Sequence, residues 1–159
     1  IPTPEKIDFS SQIIALDNIS DPGNLGTIIR LCDWFGIKDL LCNTKSVDCY
    51  NSKVVQASMG SISRVNITYL DFKELFSDKK LNTVAADLKG EAINEFKFQQ
   101  NQIVIFGNES LGISPEIKSI VKDRVTIPRY NSNYDIESIN VANSVAIILS
   151  ELKNRPTGR

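Results

Sequence analysis

The apolar residues of the chain fall into two patterns that alternate. Short continuous runs recur at Gln12–Asp17 (QIIALD), Asp39–Cys42, Val65–Leu70, Asn82–Ala86, Gln102–Phe106 (QIVIF) and Arg124–Ile127 (RVTI, stopped by Pro128). Runs this short, with polar ends, suit strands buried on both faces. Between them the spacing changes. From Asn24 the apolar positions are Leu25, Ile28, Ile29, Cys32 and Phe35, one face of a helix that Gly36 closes. Lys53–Met59 and Phe72–Phe76 read as shorter helices. Ser114 stands at a cap position, Pro115 follows at the first helical position, and Ile117, Ile120 and Val121 face inward. The last helix is expected from Glu137 to Asn154, capped by Asp135 or Ser138, with Ile139, Ala142, Val145, Ala146, Leu149 and Leu152 on one stripe.

Strands alternating with helices predict an α/β fold: a parallel sheet flanked by helices on both faces. Residues 1–11 (IPTPEKIDFSS) carry two prolines and little periodicity, and read as a lead-in or the stub of a linker. The remainder, 12–159, is one domain's worth of chain without repeats or low-complexity tracts.

Composition narrows the chemistry. The sequence has no histidine, which excludes Ser-His-Asp and Cys-His catalysis and any zinc site built on imidazole. Lys and Arg number 18 against 19 Asp and Glu, a net charge of −1, so nucleic-acid contact needs a local patch. Arg30, Lys53, Arg64 and Arg129 are the candidates for one. Cys32, Cys42 and Cys49 form no CxxC and read as reduced thiols of a cytoplasmic protein. No apolar run approaches a membrane span, and no signal peptide is expected.

In parallel sheets ligands bind beyond the carboxyl ends of the strands. Three polar turns follow strands here: Asn18–Gly26, Gly107–Gly112 and Pro128–Asn140. The first opens a helix with Asn24 and Gly26 and places Arg30, a bidentate donor suited to phosphate, further along it. The second puts Glu109 at a strand tip, and Gly107 there lets a ligand approach the backbone. The third crowds Ser138, Asn140 and Asn143 at the start of an otherwise apolar helix, more polar residues than capping needs. Each turn alone reads equally as a cap, a tight turn or a surface arginine.

Together the segments DNISDPGNLGTIIRLCDWFGI, IVIFGNESLGIS and IPRYNSNYDIESINVANSVAIILSEL resemble, in order and spacing, the three signature blocks of the SpoU (TrmH) RNA ribose methyltransferases of the SPOUT superfamily. Ile139 stands where that family usually has Leu, a swap that keeps volume and apolar character. The resemblance implies methyl transfer from S-adenosylmethionine to a ribose 2′-hydroxyl in tRNA or rRNA. It also implies a deep C-terminal trefoil knot, and a homodimer with its active site near the subunit interface. A preceding RNA-binding domain is common in the family.

By the same resemblance, Arg30 anchors the target phosphate and stabilises the developing alkoxide, while Asn24, Glu109, Ser138 and Asn140 orient substrate and cofactor. Ala85, Ala86, Gly107, Ile127 and Ile139 contact S-adenosylmethionine, largely through their backbone, and no metal is required. Two rival readings are a catalytically silent RNA-binding module of the same fold and a Rossmann-type dinucleotide enzyme. The latter lacks its G-x-G-x-x-G fingerprint, since the first turn holds only Gly23 and Gly26.

Overall fold

In the computed structural model, which describes residues 5–132 and 136–155, the alternation becomes eleven elements. They are β1 (Ile13–Leu16), α1 (Pro22–Trp34), β2 (Asp39–Asn43), α2 (Ser52–Ser58), β3 (Asn66–Leu70), α3 (Phe72–Phe76), β4 (Thr83–Ala92), β5 (Ile103–Phe106), α4 (Pro115–Ile120), β6 (Arg124–Thr126) and α5 (Val141–Asn154). The strands form one sheet in the order β3-β2-β1-β5-β4-β6, with every pairing parallel. In the centre Ile14 pairs with Leu40 on one side and Val104 on the other.

This register sorts the strand residues by parity. Ile14, Leu16, Leu40, Cys42, Val84, Val104, Phe106 and Val125 point to a face covered by α1, α2 and α5 through Ile28, Ile29, Val54, Val145 and Leu149. Ile13, Ala15, Leu41, Ala85, Ile103 and Ile105 point to the other, under Phe72 and Phe76 of α3, Ile117 of α4 and Val121 just after it. Both faces are therefore buried, which is why the strand sequences are continuously apolar. Each fully buried Leu, Ile or Phe contributes about 1.5–3 kcal/mol from removal of apolar surface from water.

The chain leaves β1 through α1 on one face and leaves β5 through α4 on the opposite face. β1 and β5 are neighbours, so their carboxyl ends flank a switch point, the place where a crevice opens in such sheets.

Local chemistry explains the helix ends. Asp21 caps α1 by accepting from the Asn24 N–H at 2.8 Å, and Pro22 opens the helix. Gly26 lets α1 lie directly on α2: a Cβ there would stand 2.4 Å from Ala57 Cβ and 2.8 Å from the Val54 carbonyl oxygen.

Three expectations need revision. α5 begins at Val141 rather than Glu137, because Asn140 is the cap, its Oδ1 accepting from the N–H groups of Ala142 (2.9 Å) and Asn143 (3.2 Å). Ser138 lies upstream and exposed, and Asp135 lies outside the described residues. Ile139 is consequently exposed and off the helix, and Val141 and Ile148 complete the buried stripe with Ala142, Val145, Leu149 and Leu152. β4 runs past Ala86 to Ala92 because it meets β6 twice: Val125 pairs with Ala86 and again with Glu91, and residues 87–90 bulge out between. Gly90 permits that return, since a Cβ would sit 2.7 Å from the Arg124 backbone.

The described part of the lead-in packs on the sheet's amino end. Asp39 Oδ2 accepts from the Asp8 N–H, Asn66 Oδ1 accepts from the Glu5 N–H, and Ile7 and Phe9 are half-buried against the second core. Among the described residues no helix is long and apolar enough to cross a membrane.

Candidate functional site

The loop after β5 is a closed ring. Asn108 and Gly112 exchange both backbone hydrogen bonds at 2.9 Å, and Asn108 Oδ1 accepts from the N–H groups of Ser110 and Leu111. Gly112 has φ 70°, where a side chain is strained. Gly107 serves the same ring: a Cβ on it would stand 2.1 Å from Gly112 C and 2.2 Å from Ile113 N. The sequence suggested that Gly107 leaves room for a ligand. The structure gives it a different first reason, the close approach of its own loop.

Glu109, carried on this ring, reaches across the switch point to the loop after β1. Its Oε1 accepts from the Asp21 N–H (3.0 Å) and Asn24 Nδ2 (3.4 Å), and its Oε2 from the Ser20 N–H (3.3 Å) and Ser20 Oγ (3.2 Å). Partial burial pushes the Glu109 carboxyl up, but the hydrogen bonds from Asp21, its own backbone, Ser20 and Asn24 outweigh it and hold the group below the usual carboxylate range. It is a fixed anion at the start of α1.

Asn24 extends the chain of contacts. Its Oδ1 accepts from Asn140 Nδ2 at 3.0 Å. Glu109, Asn24 and Asn140 thus join all three polar turns in one line, although 85 and 116 residues separate the bonded pairs. Ser138 and Ile139 sit exposed just before Asn140. Gly107 and Ile127, half-buried, directly follow the adjacent strands β5 and β6, and half-buried Ala86 lies within β4, just past its last pair with β5 and before the bulge. Ala85 is one residue deeper, fully buried, with its N–H donated to the Asp123 carbonyl.

Arg30 is not brought into this line. It lies on the solvent stripe of α1 with Thr27 and Trp34, six positions past Asn24 and so about 9 Å further along the axis. Among the described residues it makes no hydrogen bond or ion pair. Of the other candidate patch cations, Lys53 and Arg129 are exposed, whereas Arg64 is held by Asp33 (2.7 Å, with a second bond from Nε at 2.9 Å) and is committed to the fold. Arg129 donates to the Glu137 carbonyl at 3.1 Å and so ties together the two ends of the third turn.

Sequence reading passed over the residues that brace the first loop: Asp17, Asn18, Asn43 and Asn108. Asn108 donates to the Asn18 carbonyl at 2.7 Å, and Asn43 bonds both Asp17 and Asn18. The one visible signal was the density of Asn and Asp at strand ends. A cavity of about 800 Å³ lies instead at the sheet's amino end, lined by Asn82, Gln102 and a mixture of lysines and carboxylates. None of its lining residues belongs to the three turns.

The model of the SpoU rRNA Methylase family matches residues 11–150. A 23S rRNA (guanosine 2′-O)-methyltransferase of Bacillus subtilis is 26% identical over 94% of this chain and 60% of its own length. A solved structure of the TrmH family from Porphyromonas gingivalis is 36% identical with a TM-score of 0.86, over 94% of this chain and 62% of that one. The SpoU methyltransferase AviRb from Streptomyces viridochromogenes, solved in complex with AdoMet, is 26% identical with a TM-score of 0.82, over 92% of this chain and 61% of that one. The chain therefore spans about three fifths of the length of these relatives.

Proposed function

The chain belongs to the SpoU rRNA methylase family, and on that premise we propose that it transfers the methyl group of S-adenosylmethionine to a ribose 2′-hydroxyl of tRNA or rRNA. The observation that carries the reading is the Glu109–Asn24–Asn140 line, which assembles residues from all three signature turns at a switch-point crevice.

The donor set suits that cofactor. Gly107 and Ile127 present main chain just past the ends of β5 and β6, Ala86 does so at the start of the β4 bulge, and Leu88, Leu111 and Ile139 are exposed apolar side chains on the bulge and the loops around them. A neutral adenine and an aliphatic amino acid need apolar walls with main-chain hydrogen bonds. When bound, S-adenosylmethionine supplies an electrophilic methyl on a sulfonium, so neither metal nor histidine is required.

The protein's work is alignment and charge. Methyl transfer to the ribose 2′-hydroxyl would release its proton, so the site has to hold that oxygen in line and stabilise the charge it gains. Arg30 acts as a donor to the target phosphate and the developing alkoxide, not as a base. The phosphate takes the proton. Glu109 and Asn140 hold Asn24, and Ser138 lies beside them to orient the ribose.

The same reading includes a homodimer, which gives the exposed Arg30 a site to act on. Trp34 on α1 is 85% exposed, and Ile147 on α5, a helix in contact with α1, is also exposed. Pairing of these faces between two copies puts Arg30 at the partner's pocket. The C-terminal knot belongs to the same reading: the segment after β6 has to return from the sheet's edge to lay α5 against α1. A reducing cytoplasm suits Cys32, Cys42 and Cys49, which are free and buried, with burial pushing each thiol up.

Calorimetric titration of the full chain tests the reading. Saturable binding of S-adenosylmethionine, with none of NAD, is the expected result. Binding of NAD, or of neither, contradicts it.

A further inference from the structure

Behind the loop after β1 lies a polar network that none of the roles above uses. Asp17 is 1% exposed and belongs to no ion pair among the described residues. Its Oδ1 accepts from Asn43 Nδ2 at 2.9 Å and its Oδ2 from the Ser114 N–H at 2.7 Å. Asn18 holds a left-handed backbone, φ 61°, uncommon for any residue but glycine. Asn43 Oδ1 accepts from the Asn18 N–H at 2.9 Å, and Asn43 Nδ2 also donates to Asn18 Oδ1. Ser46 Oγ donates to the same Asn43 oxygen and accepts from the Ile19 N–H, extending the brace by one residue.

The pairing of β1 with β2 does not need these bonds. Its ladder ends at Leu16 and Cys42, and what Asn43 adds lies beyond the last pair, in the loop. Every bond of the network leads to one of the two catalytic loops. Through Asp17 it reaches Ser114 at the far end of the β5 loop, and through Asn18 it reaches Asn108, the neighbour of Glu109. A single side chain at the end of β2 therefore braces Asp17 and Asn18, the two residues through which the loop after β1 is bonded to the loop after β5.

We propose, on the reading that this site transfers methyl groups, that Asn43 is a positioning residue for the reaction: it touches neither RNA nor cofactor, and it fixes the loop that presents Asn24 to Glu109. Misplacement of such groups by about 1 Å is enough to slow a reaction on the order of 10²-fold. The loss belongs in kcat, because the cofactor is held mainly from β4, β5 and β6.

The test is an exchange of partners, with methyl transfer to undermethylated total RNA measured well below the melting temperature of every variant. Asn43→Asp keeps the acceptor for Asn18 but turns a carboxylate toward Asp17. It is expected to lower kcat by about 10-fold or more while leaving KM for S-adenosylmethionine within about 3-fold. Asn43→Ser, which adds no charge and is too short to span both partners, is expected to do the same and stands in if the first variant does not fold. The double variant Asp17→Asn with Asn43→Asp again opposes one donor to one acceptor and is expected to restore most of kcat. Wild-type kcat in Asn43→Asp or Asn43→Ser would overturn the proposal. So would an exchange that restores melting temperature but not kcat, the mark of a purely structural role. If the wild-type chain itself transfers no methyl, the functional reading falls and this proposal with it.

Discussion

Glu109 shows how much a residue's surroundings decide its role. On the sequence it is one carboxylate at a strand tip; in the fold it accepts from Ser20, Asp21 and Asn24. Glu109→Ala removes that acceptor from four donors on three residues at once. Methyl transfer is expected to fall on the order of 10²-fold, as for loss of a preorganised polar group, with S-adenosylmethionine affinity changed far less. Because the folded state holds this carboxyl below its ordinary value of 4.5, its contribution to stability is fully present above that value. It is lost as pH falls through the lower folded value. The drop in urea midpoint on going from neutral pH into that acid range should therefore be smaller in Glu109→Gln than in the wild type.

Arg30 belongs at the same scale. Arg30→Ala is expected to reduce transfer about 10²–10³-fold with cofactor binding intact, and Arg30→Lys to rescue poorly because an ammonium lacks the bidentate fork. Near-wild-type transfer by Arg30→Ala would return it to an ordinary surface charge. Gly107 teaches the opposite lesson. Its sequence context suggested space for a ligand, whereas the Gly112–Ile113 backbone fills that space. Gly107→Val should therefore lower the melting temperature as well as cofactor affinity, which thermal unfolding beside calorimetry will show.

Among the elements, the strands were legible because burial on both faces leaves a continuous apolar run that little else mimics. α1 was legible from Leu25 onward because its core face repeats with the helical period. The start of α5 was not, since Ser138 and Asn140 are both good caps and the pattern does not say which one the backbone uses. The structure uses Asn140, which serves twice, capping α5 and donating to Asn24. Asn140→Ala should cost about 0.5–2 kcal/mol of stability as a lost cap, and should also slow transfer. Asn140→Asp keeps the cap acceptor but loses the donor, so it should recover the stability and not the rate. Equal recovery of both would show that the bond to Asn24 does nothing for catalysis. The length of β4 was hidden for another reason: a four-residue bulge and a second pairing with β6 depend on register between strands, which no local pattern encodes.

For the whole molecule, a parallel sheet with helices on both faces could be read from alternation alone, but its strand order could not. The order places β5 beside β1 although Ile103 lies 87 positions after Leu16, and that adjacency is what brings Glu109 to Asn24. The three turns were individually ambiguous and became a site only when sheet topology closed them on one crevice. Arg30 remains outside that crevice within one copy, so the proposed catalysis needs a homodimer. Sedimentation at micromolar concentration should give a dimer, and Trp34→Glu should give an inactive monomer. Co-expressed Arg30→Ala and Asn140→Ala chains should regain transfer that neither has alone, because mixed dimers hold one intact composite site. An active monomer would contradict this arrangement.

The central claim is ribose methylation, and it can be read from the RNA product. Wild-type full chain is incubated with tritiated S-adenosylmethionine and total RNA from cells lacking the gene, and the RNA is then hydrolysed completely in alkali. A methylated 2′-oxygen cannot attack its neighbouring phosphate, so label is expected in alkali-resistant dinucleotides, and to disappear with Arg30→Ala. Label recovered instead in mononucleotides, as methylated bases, or absent from RNA altogether, would contradict the account.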